Sequence, residues 1–404
     1  MVAPTSFFSS YGCHVRIAEE ADALRRMGHQ VKVVTYHNGG SWNGLPIERT
    51  LSVPWRKDTE VGSSRHKLAF DALLGLKMLA VALRERPDVI HAHLHEGALL
   101  GFPAHLLTGA PLIFDFQGSL TSEMVDHHFL NPAGALYRPA RRLEEAINNL
   151  PNALIVSSQR AARLLRREYG CRNPNITVVP DCVNGQFFHP DVLSADERQS
   201  LKARLGIPTH HKVVVSLGLL AEYQGTGLLL NAARDIVAAR SDVHFLIMGY
   251  PSAEIYQARA AQLGISAFTT FTGKIHYSEA PRYLALGDVA VAAKLSATEG
   301  IGKVLNYMAM GLPTVAFDTD VSREYLAELG VYARAGDSAD LARALLAALD
   351  DDPSTSSGRD PQSGRGRALR QRALQDYTWE QAGRQILHVY ESCLAQRSSA
   401  VSLS

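Results

Sequence analysis

The chain has 404 residues, of which 46% are hydrophobic and 20% are charged, and its formal net charge is +1. This length exceeds one ordinary hydrophobic core and predicts two or three domains, and the composition excludes fibrous and disordered classes. The near-neutral charge gives no reason to expect nucleic acid as a partner.

Cysteine usage and the apolar runs indicate where the protein works. The four cysteines lie far apart without a Cys-x-x-Cys pair, which argues against a structural zinc site and a disulfide scaffold and fits a cytoplasmic protein. No apolar run reaches about 18 residues, so no membrane span is expected. The first residues, MVAPTSFFSSYG, lack the features of a secretory signal and instead suggest the end of a first β-strand and a loop.

Ten short runs rich in Val and Ile alternate with helical patterns along the chain. Continuous apolar runs are typical of strands buried on both faces, and helices between them predict parallel sheets. We therefore predict an α/β fold with two Rossmann-like, doubly wound parallel-sheet domains. The first set of runs lies at 30–36, 88–93, 111–116, 153–158 and 176–180, and the second at 212–218, 244–249, 269–273, 288–293 and 313–317.

The domain boundaries follow from where this rhythm breaks. It stops after the stretch VVPDCVNGQFFHP, so we predict an N-terminal domain over 1–188 and a C-terminal domain over 189–375. The polar segment 350–367 is rich in Gly, Ser and Pro and predicts a loop. The spacing of apolar residues in YTWEQAGRQILHVYESCLAQ predicts one amphipathic helix over 376–396.

The stretch SATEGIGKVLNYMAMGLPTVAFDT, residues 296–319, predicts a glycine-rich turn, a helix over 303–311 and a buried strand. Gly300 and Gly302 let backbone N–H groups approach a ligand, and a helix N-terminus favours an anion. Lys303 would neutralise a departing phosphate oxygen, whereas Glu299 suits the hydroxyl groups of a neighbouring sugar. The features together fit a nucleotide sugar, and a polar turn with a surface salt bridge is the alternative.

Several motifs resemble those of GT-B-fold glycosyltransferases of family 4 (glycosyl transferases group 1). In the second half, FTTFTG, YLALGDVAV, EGIG and MAMGLPTVAF follow each other in the order and spacing of the family's donor domain. In the first half, RRMGHQVKVVTYHNG, RPDVIHAH and VVPDCVNGQFFHP match further landmarks. The predicted last helix resembles the family's terminal helix, which crosses back to the N-terminal domain, so the resemblance covers nearly the whole chain.

The resemblance implies a hexosyltransferase that moves a sugar from a nucleotide diphosphate sugar to a glycan, lipid or small-molecule acceptor, with retention and without a metal. The donor would lie on the C-terminal domain and the acceptor on the N-terminal domain, with no cofactor besides the donor substrate. A non-catalytic GT-B protein that binds a ligand or partner, or a nucleotide-sugar epimerase on the same fold, is the alternative. The sequence does not define the sugar, the base, the acceptor or the oligomeric state.

The predicted site residues follow the family motifs. Glu299 would orient the sugar, Lys303 would stabilise the leaving group, and Gln117 replaces a family histidine near the donor sugar. The predicted donor contacts are Gly12, Cys13, Gly218, Glu222, Gln224, Gly300, Ile301, Gly302, Asn306 and Tyr307. The predicted acceptor or cleft residues are His14, Arg16 and His93, and no metal ligands are expected.

The sequence departs from the family at the phosphates and the ribose. Leu219 and Gln224 stand where relatives keep a phosphate-binding Arg and Lys, and Lys303 would replace part of that charge. The second family glutamate, which grips the ribose, is replaced by Tyr307, or by Asn306 if the turn is one residue shorter. These losses make the non-catalytic alternative worth keeping.

Three other patterns have weaker functional interpretations. Asp318 and Asp320 superficially match a metal-binding Asp-x-Asp, but they follow a buried strand of the GT-B pattern. A run of alternating histidines predicts a packed or cleft-lining pair, with zinc as the alternative. An arginine-rich helical face predicts a solvated surface, with docking to an anionic membrane leaflet as the alternative. The histidines are His91, His93 and His95, and the arginines are Arg160, Arg163 and Arg167, with Arg138, Arg141 and Arg142 nearby.

Overall fold

The computed structural model describes residues 1–9, 12–52, 67–127, 129–295, 300–350 and 364–402. Contacts divide the chain into two compact units. The first comprises Met1–Asp181, Thr298–Gly300 and Trp379–Ser404, and the second comprises Cys182–Ala297 and Ile301–Thr378.

The boundary therefore lies between Asp181 and Cys182, earlier than the predicted position after residue 188. The residues that follow position 181 make their contacts within the second unit. The Val183 N–H donates to the Tyr377 carbonyl at 2.9 Å. Phe188 is fully buried in the core of the second unit. The connecting segment thus packs with the domain it leads into.

The first unit is built on a seven-stranded parallel sheet with the strand order β3-β2-β1-β4-β5-β6-β7. Its strands are β1 (Val2–Ala3), β2 (Val33–Thr35), β3 (Ile47–Arg49), β4 (Ile90–His93), β5 (Leu112–Phe116), β6 (Ala153–Val156) and β7 (Ile176–Val178). Its helices are α1 (Gly12–Arg26), α2 (Lys67–Glu85), α3 (Leu94–Thr108), α4 (Leu120–Asp126), α5 (Tyr137–Asn148) and α6 (Gln159–Arg167).

The second unit is built on a six-stranded parallel sheet with the order β10-β9-β8-β11-β12-β13. Its strands are β8 (Lys212–Leu219), β9 (Val243–Tyr250), β10 (Thr269–Gly273), β11 (Val289–Ala292), β12 (Thr314–Phe317) and β13 (Val331–Ala333). Its helices are α7 (Ala195–Arg204), α8 (Thr226–Ala239), α9 (Ala253–Gln262), α10 (Ala280–Leu284), α11 (Gly302–Ala309), α12 (Asp320–Leu326), α13 (Ser338–Asp350) and α14 (Arg365–Asp376).

The last helix, α15 (Trp379–Ser402), groups with the first unit. It packs along α1, where Gly383 lies against the side chains of Ala23 and Met27. Its Tyr390 hydroxyl lies 2.6 Å from the Nδ1 atom of His91 on β4. The C-terminal helix is thus tied to the first sheet by both packing and a hydrogen bond.

The predicted fold class is confirmed, because all ten predicted runs contain strands of two parallel sheets. The edge strands β3 and β13 were not predicted. The helix predicted over 303–311 is observed as α11, and the helix predicted over 376–396 as α15. Among the residues that the structure describes, no helix is long and apolar enough to cross a membrane.

Helix starts differ in how their free N–H groups are satisfied. The helices α4, α6, α7 and α12 begin at side-chain caps, supplied by Ser119, Ser158, Ser194 and Thr319. The helices α5, α8, α11 and α14 have no side-chain cap and no acidic residue in the first turn, and of these α8 and α11 follow the strands β8 and β11 of the second sheet. Since the first N–H groups of a helix need partners and attract anions, these two starts are suited to a ligand.

Candidate active site

The loops after β8 and β11 are held together at the carboxyl edge of the second sheet. The turn Glu222–Gln224 leads into Gly225, whose φ of +77° favours glycine. A Cβ atom on Gly225 would overlap the carbonyl oxygen of Ala293, which directly follows β11. The Leu295 N–H also donates to the Tyr223 carbonyl at 2.9 Å. Glycine at position 225 therefore lets the start of α8 lie against the β11 loop.

Lys303, the second residue of α11, reaches across to the end of β8. Its Nζ atom donates to Oε1 of Gln224 at 3.2 Å. The same atom lies 3.4 Å from the position that a Cβ atom on Gly218 would take. The structure thus brings together Gly218, Gln224, Gly302 and Lys303 from separate parts of the predicted site. The ammonium group lies at the carboxyl edge of parallel strands, where open α/β sheets bind ligands.

A second cation, which sequence reasoning missed, lies at the start of α8. Arg259 on α9 donates to Oε1 of Glu222 at 3.2 Å, and its guanidinium lies over Gly227. Glu222 is exposed and also accepts from the Tyr256 hydroxyl at 3.2 Å. No motif marks Arg259, because it comes from a separate helix. Glu222, predicted as a donor contact, is held by these two partners.

The structure corrects two predicted donor contacts in the second unit. Tyr307 is fully buried, and its hydroxyl accepts from the Leu217 N–H at 2.8 Å. Burial raises the pKa of Tyr307 above its usual range, and its side chain fills the core rather than contacting a ribose. Ile301 is likewise buried in the core of this unit. Asn306 is half-buried, so of the two ribose candidates only Asn306 presents surface.

The turn before α11 is described only in part. Glu299, the predicted sugar-orienting carboxylate, lies outside the described residues, and its role stays a prediction. Gly300 is half-buried and groups with the first unit. A Cβ atom on Gly300 would overlap the carboxylate of Asp181, so a larger residue here would displace that side chain.

In the first unit, Arg16 is the centre of a buried ion-pair network. Its guanidinium donates to both oxygens of Asp115 at 3.0–3.3 Å and to Asp181 at 3.0 Å. It also lies 3.0 Å from Glu20, one turn along α1, and donates to the Val179 carbonyl at 3.1 Å. Only 4% of the Arg16 side chain is exposed. The prediction that Arg16 lines a cleft is therefore wrong, because three carboxylates enclose it.

His93 and Gln117 belong to the same network. The Nδ1 atom of His93 lies 3.1 Å from Oδ2 of Asp115, and the Gln117 amide donates to that oxygen at 2.7 Å. His93 is fully buried, and His91 stacks on it with ring centroids 4.4 Å apart. His93 is thus a packed residue and not a cleft residue. Gln117 is half-buried, in contrast to the buried histidines of the network.

Burial and charge shift the pKa values of this network in opposite directions. Burial would raise the pKa of Asp115, but the Arg16 guanidinium and the His93 hydrogen bond outweigh it and hold that pKa below its usual range. Burial raises the pKa of Glu20 well above its ordinary value, despite Arg16. Burial lowers the pKa of both His91 and His93. Glu20 and the two imidazoles are therefore held neutral beside an ionised Arg16–Asp115 pair.

The same residues contain the ligand types of a metal site. Glu20, His91, His93 and Asp115 offer ligand atoms that lie within 4.8 Å of one another. Both Asp115 oxygens, however, already accept hydrogen bonds, and Arg16 supplies the compensating positive charge. A second cation beside the guanidinium would be repelled. We therefore describe this cluster as an ion-pair network, and the expected absence of a metal remains a prediction.

The remaining histidine and aspartate candidates lie elsewhere. His95 is buried against the rings of Phe114 and Phe116, with its Nε2 atom 3.6 Å from Glu144. Asp318 is exposed and pairs with Arg323 at 2.7 Å. These contacts favour the packed histidine and the surface carboxylate over metal ligands.

The start of α1 offers less surface than predicted. Gly12 is exposed, and a Cβ atom there would meet nothing within 4 Å. Cys13 is half-buried, and burial together with Glu123 raises the pKa of its thiol to about 12. His14 is buried and accepts the Ser9 N–H at 2.9 Å, so its ring packs inside the unit rather than lining a cleft.

Two Rossmann-like parallel sheets, with a cationic site at the carboxyl edge of the second, define the GT-B class of two-domain proteins. Comparison with protein families agrees. Residues 11–182 match the family model of the glycosyl transferase 4-like domain, and residues 211–351 match that of glycosyl transferases group 1. The two models together cover most of the chain. The protein belongs to the GT-B glycosyltransferases of the family-4 type.

Individual relatives span the whole chain at low identity. A phosphatidyl-myo-inositol mannosyltransferase of Mycobacterium leprae is 27% identical over 97% of this chain and 96% of its own length. Sucrose-phosphate synthase of Thermosynechococcus elongatus has a TM-score of 0.79 at 17% identity and covers 98% of both chains. The Anabaena protein Alr3699/HepE, solved with UDP and glucose, has a TM-score of 0.75 at 18% identity and covers 97% of this chain and 98% of its own.

Proposed function

We propose that this glycosyltransferase moves a hexosyl group from a nucleotide diphosphate sugar to an acceptor hydroxyl, with retention of configuration and without a metal. The observation that carries the proposal is Lys303, which lies beside Gly218 and Gln224 between two helix starts without side-chain caps. A diphosphate is the common ligand that needs all of these groups at once. The Anabaena neighbour solved with UDP supports the donor class.

The chemistry follows from where charge develops. The bond between the sugar C1 atom and the β-phosphate oxygen breaks, the acceptor oxygen bonds to C1, and the acceptor proton passes to the departing phosphate oxygen. Negative charge accumulates on the departing diphosphate, where the Lys303 ammonium and the N–H groups at the start of α11 would stabilise it. Arg259, at the start of α8, would supply part of the charge lost at Leu219 and Gln224. No step in this scheme requires a metal or a cofactor.

We expect Lys303→Ala to weaken the binding of UDP or GDP by about 1.5–3 kcal/mol, the range for a hydrogen bond to a charged group. This corresponds to a roughly 10- to 150-fold increase in Kd. Calorimetric titration of the parent and the variant measures it. Lys212→Ala is the matched control, because Lys212 lies at the opposite end of β8 and donates to the Leu349 carbonyl. Equal affinities for parent and Lys303→Ala would show that the phosphates bind elsewhere.

The acceptor we propose is an inositol-containing lipid, in line with the name of the mycobacterial relative. The protein would then be cytoplasmic and dock on an anionic membrane leaflet. Helices α5 and α6 carry exposed arginines, and exposed leucines accompany them at Leu136 and Leu143. Such a mixture is typical of interfacial helices. The exposed arginines are Arg138, Arg142, Arg163, Arg166 and Arg167, whereas Arg141 pairs with Glu144 and Arg160 is half-buried.

The double variant Arg163→Glu/Arg167→Glu tests this docking. Each basic residue near an anionic surface contributes about 1 kcal/mol, so we expect at least a roughly tenfold loss of binding to phosphatidylglycerol vesicles at low salt. Co-sedimentation measures it, with phosphatidylcholine vesicles as the uncharged reference. Arg334→Glu, an exposed arginine of the second unit, is the matched control. Unchanged co-sedimentation of the double variant would contradict docking through α5 and α6.

A further inference from the structure

The outward faces of α2 and α3 in the first unit are apolar. Every exposed residue of α2 between positions 68 and 83 is leucine or alanine, and every exposed residue of α3 is leucine or proline. Since α2 and α3 pack against each other, these residues form one surface, which we name the α2–α3 face. Its large members are Leu68 (76% exposed), Leu76 (68%), Leu83 (50%), Leu99 (43%), Leu106 (64%) and Leu107 (63%).

The outward face of a surface helix is normally polar, and an apolar helix face is normally covered. If an exposed leucine side chain offers on the order of 100 Å², the six leucines expose about 400 Å², and the alanines and the proline add to this. Patches of this size mark interaction sites on soluble proteins. Two such patches would bury about 1,000 Å², which reaches the lower limit of a specific protein interface.

The charges around the α2–α3 face favour an uncharged protein surface over a membrane. Lys67 pairs with Glu96 at 2.5 Å, and Lys77 and Arg84 pair with Glu48 at 2.6 and 2.8 Å. Helices that dock on anionic lipid keep Lys and Arg available for the headgroups. Among the described residues, these three cations beside the leucines are already paired within the chain.

The pattern along α2 identifies the partner. The exposed stripe runs Leu68, Ala72, Leu76, Ala80 and Leu83, in steps of four and finally three residues, so it follows one helix face. The order of leucine and alanine in the stripe is almost the same from Leu76 toward the N-terminus as from Leu76 toward the C-terminus. A two-fold axis at Leu76 would place two antiparallel copies of α2 with leucine against leucine and alanine against alanine. Such self-complementarity is what an isologous contact requires, and the alanines allow the helices to approach closely.

We propose that the α2–α3 face joins two copies of this chain in a homodimer, with the two α2 helices antiparallel about a two-fold axis at Leu76. In this register Ala72 faces Ala80 of the second copy, and Leu68 lies opposite position 84 of the second copy, one residue from its Leu83. Leu76 meets its own counterpart on the axis.

Light scattering after size-exclusion chromatography of the full chain tests the proposal. Concentrations up to about 100 µM are used, because an interface of this size can be weak and dimerise only at high concentration. We expect a dimeric parent and a monomeric Leu76→Lys variant, because two ammonium groups would meet on the axis. Ile255→Lys is the matched control and should stay dimeric, since Ile255 is 67% exposed on α9 of the second unit. Circular dichroism verifies that each variant is folded, which an exposed position allows.

Two double variants test the register. Ala72→Glu/Ala80→Lys places a glutamate of one copy opposite a lysine of the other on both sides of the axis and should preserve the dimer. Ala72→Glu/Ala80→Glu places two glutamates opposite each other at both positions and should dissociate it. A monomeric parent, a dimeric Leu76→Lys variant, or identical behaviour of the two double variants would overturn the proposal. So would a monomeric parent that binds phosphatidylglycerol vesicles through Leu76, which would make the face a membrane surface.

Discussion

Replacing Arg16 with methionine is expected to lower the free energy of unfolding by about 3–5 kcal/mol, the cost of removing one partner from a buried ion pair. Asp115 is fully buried and would lose its counter-charge, while Asp181 keeps partial contact with water. Methionine fills a volume similar to that of arginine, so the loss of stability reflects the missing charge and not a cavity. Urea unfolding of parent and variant near pH 7 measures the difference.

The pH dependence of this loss identifies its cause. The pKa of Asp115 is depressed in the folded protein, so its contribution is fully present above the unfolded value of about 3.8 and is lost as the pH falls toward the folded value. The difference between parent and Arg16→Met should therefore shrink below about pH 4. Arg323→Met, which removes an exposed pair with Asp318, should change stability little. A pH-independent difference would show that packing, not charge, dominates at Arg16.

Replacing Glu299 with glutamine is expected to lower turnover by a factor of about 10² or more, the scale of losing one contact to the transition state. The expectation rests on its position before Gly300 and Gly302, where a carboxylate suits the donor sugar rather than the phosphates. Nucleoside diphosphates lack the sugar, so the affinity for UDP or GDP should stay unchanged. This is the reverse of the effect expected for Lys303→Ala.

Glu279→Gln is the control for Glu299→Gln, because Glu279 is exposed and lies within 3.7 Å of Arg282. Steady-state rates give the turnover, and calorimetry gives the affinity. Full activity of Glu299→Gln would exclude the proposed orienting role. A parallel loss of diphosphate affinity would instead mean that Glu299 supports the phosphate site.

The central strands could be predicted because each is buried on both faces and reads as a continuous apolar run. The edge strands β3 and β13 have the sequences Ile-Glu-Arg and Val-Tyr-Ala and are mostly half-exposed, so no such run marks them. The outer faces of α2 and α3 show the opposite case. Leucine is usually a buried residue type, yet the structure leaves six leucines of these two faces exposed.

The candidate site was predictable where one local motif contains it, as at Gly302 and Lys303. It was not predictable where distant residues meet. Arg16 looked like a cleft residue because its partners, Asp115 and Asp181, lie about 100 and 165 residues away. The sequence did contain one indication of a buried ion pair. Asp115 interrupts the apolar strand Leu112–Phe116, and a buried carboxylate needs a partner. The identity of that partner depends on the fold.

The central claim is sugar transfer from a nucleotide diphosphate donor, and release of the nucleoside diphosphate tests it most directly. The full chain is incubated without added metal and with a chelator, with UDP- or GDP-hexoses, with and without phosphatidylinositol, and the released diphosphate and the glycosylated product are quantified. We predict acceptor-dependent release that matches product formation and is strongly reduced in the Lys303→Ala variant. Binding of the donor without release under any of these conditions, or conversion of the donor to an epimer, would contradict the account.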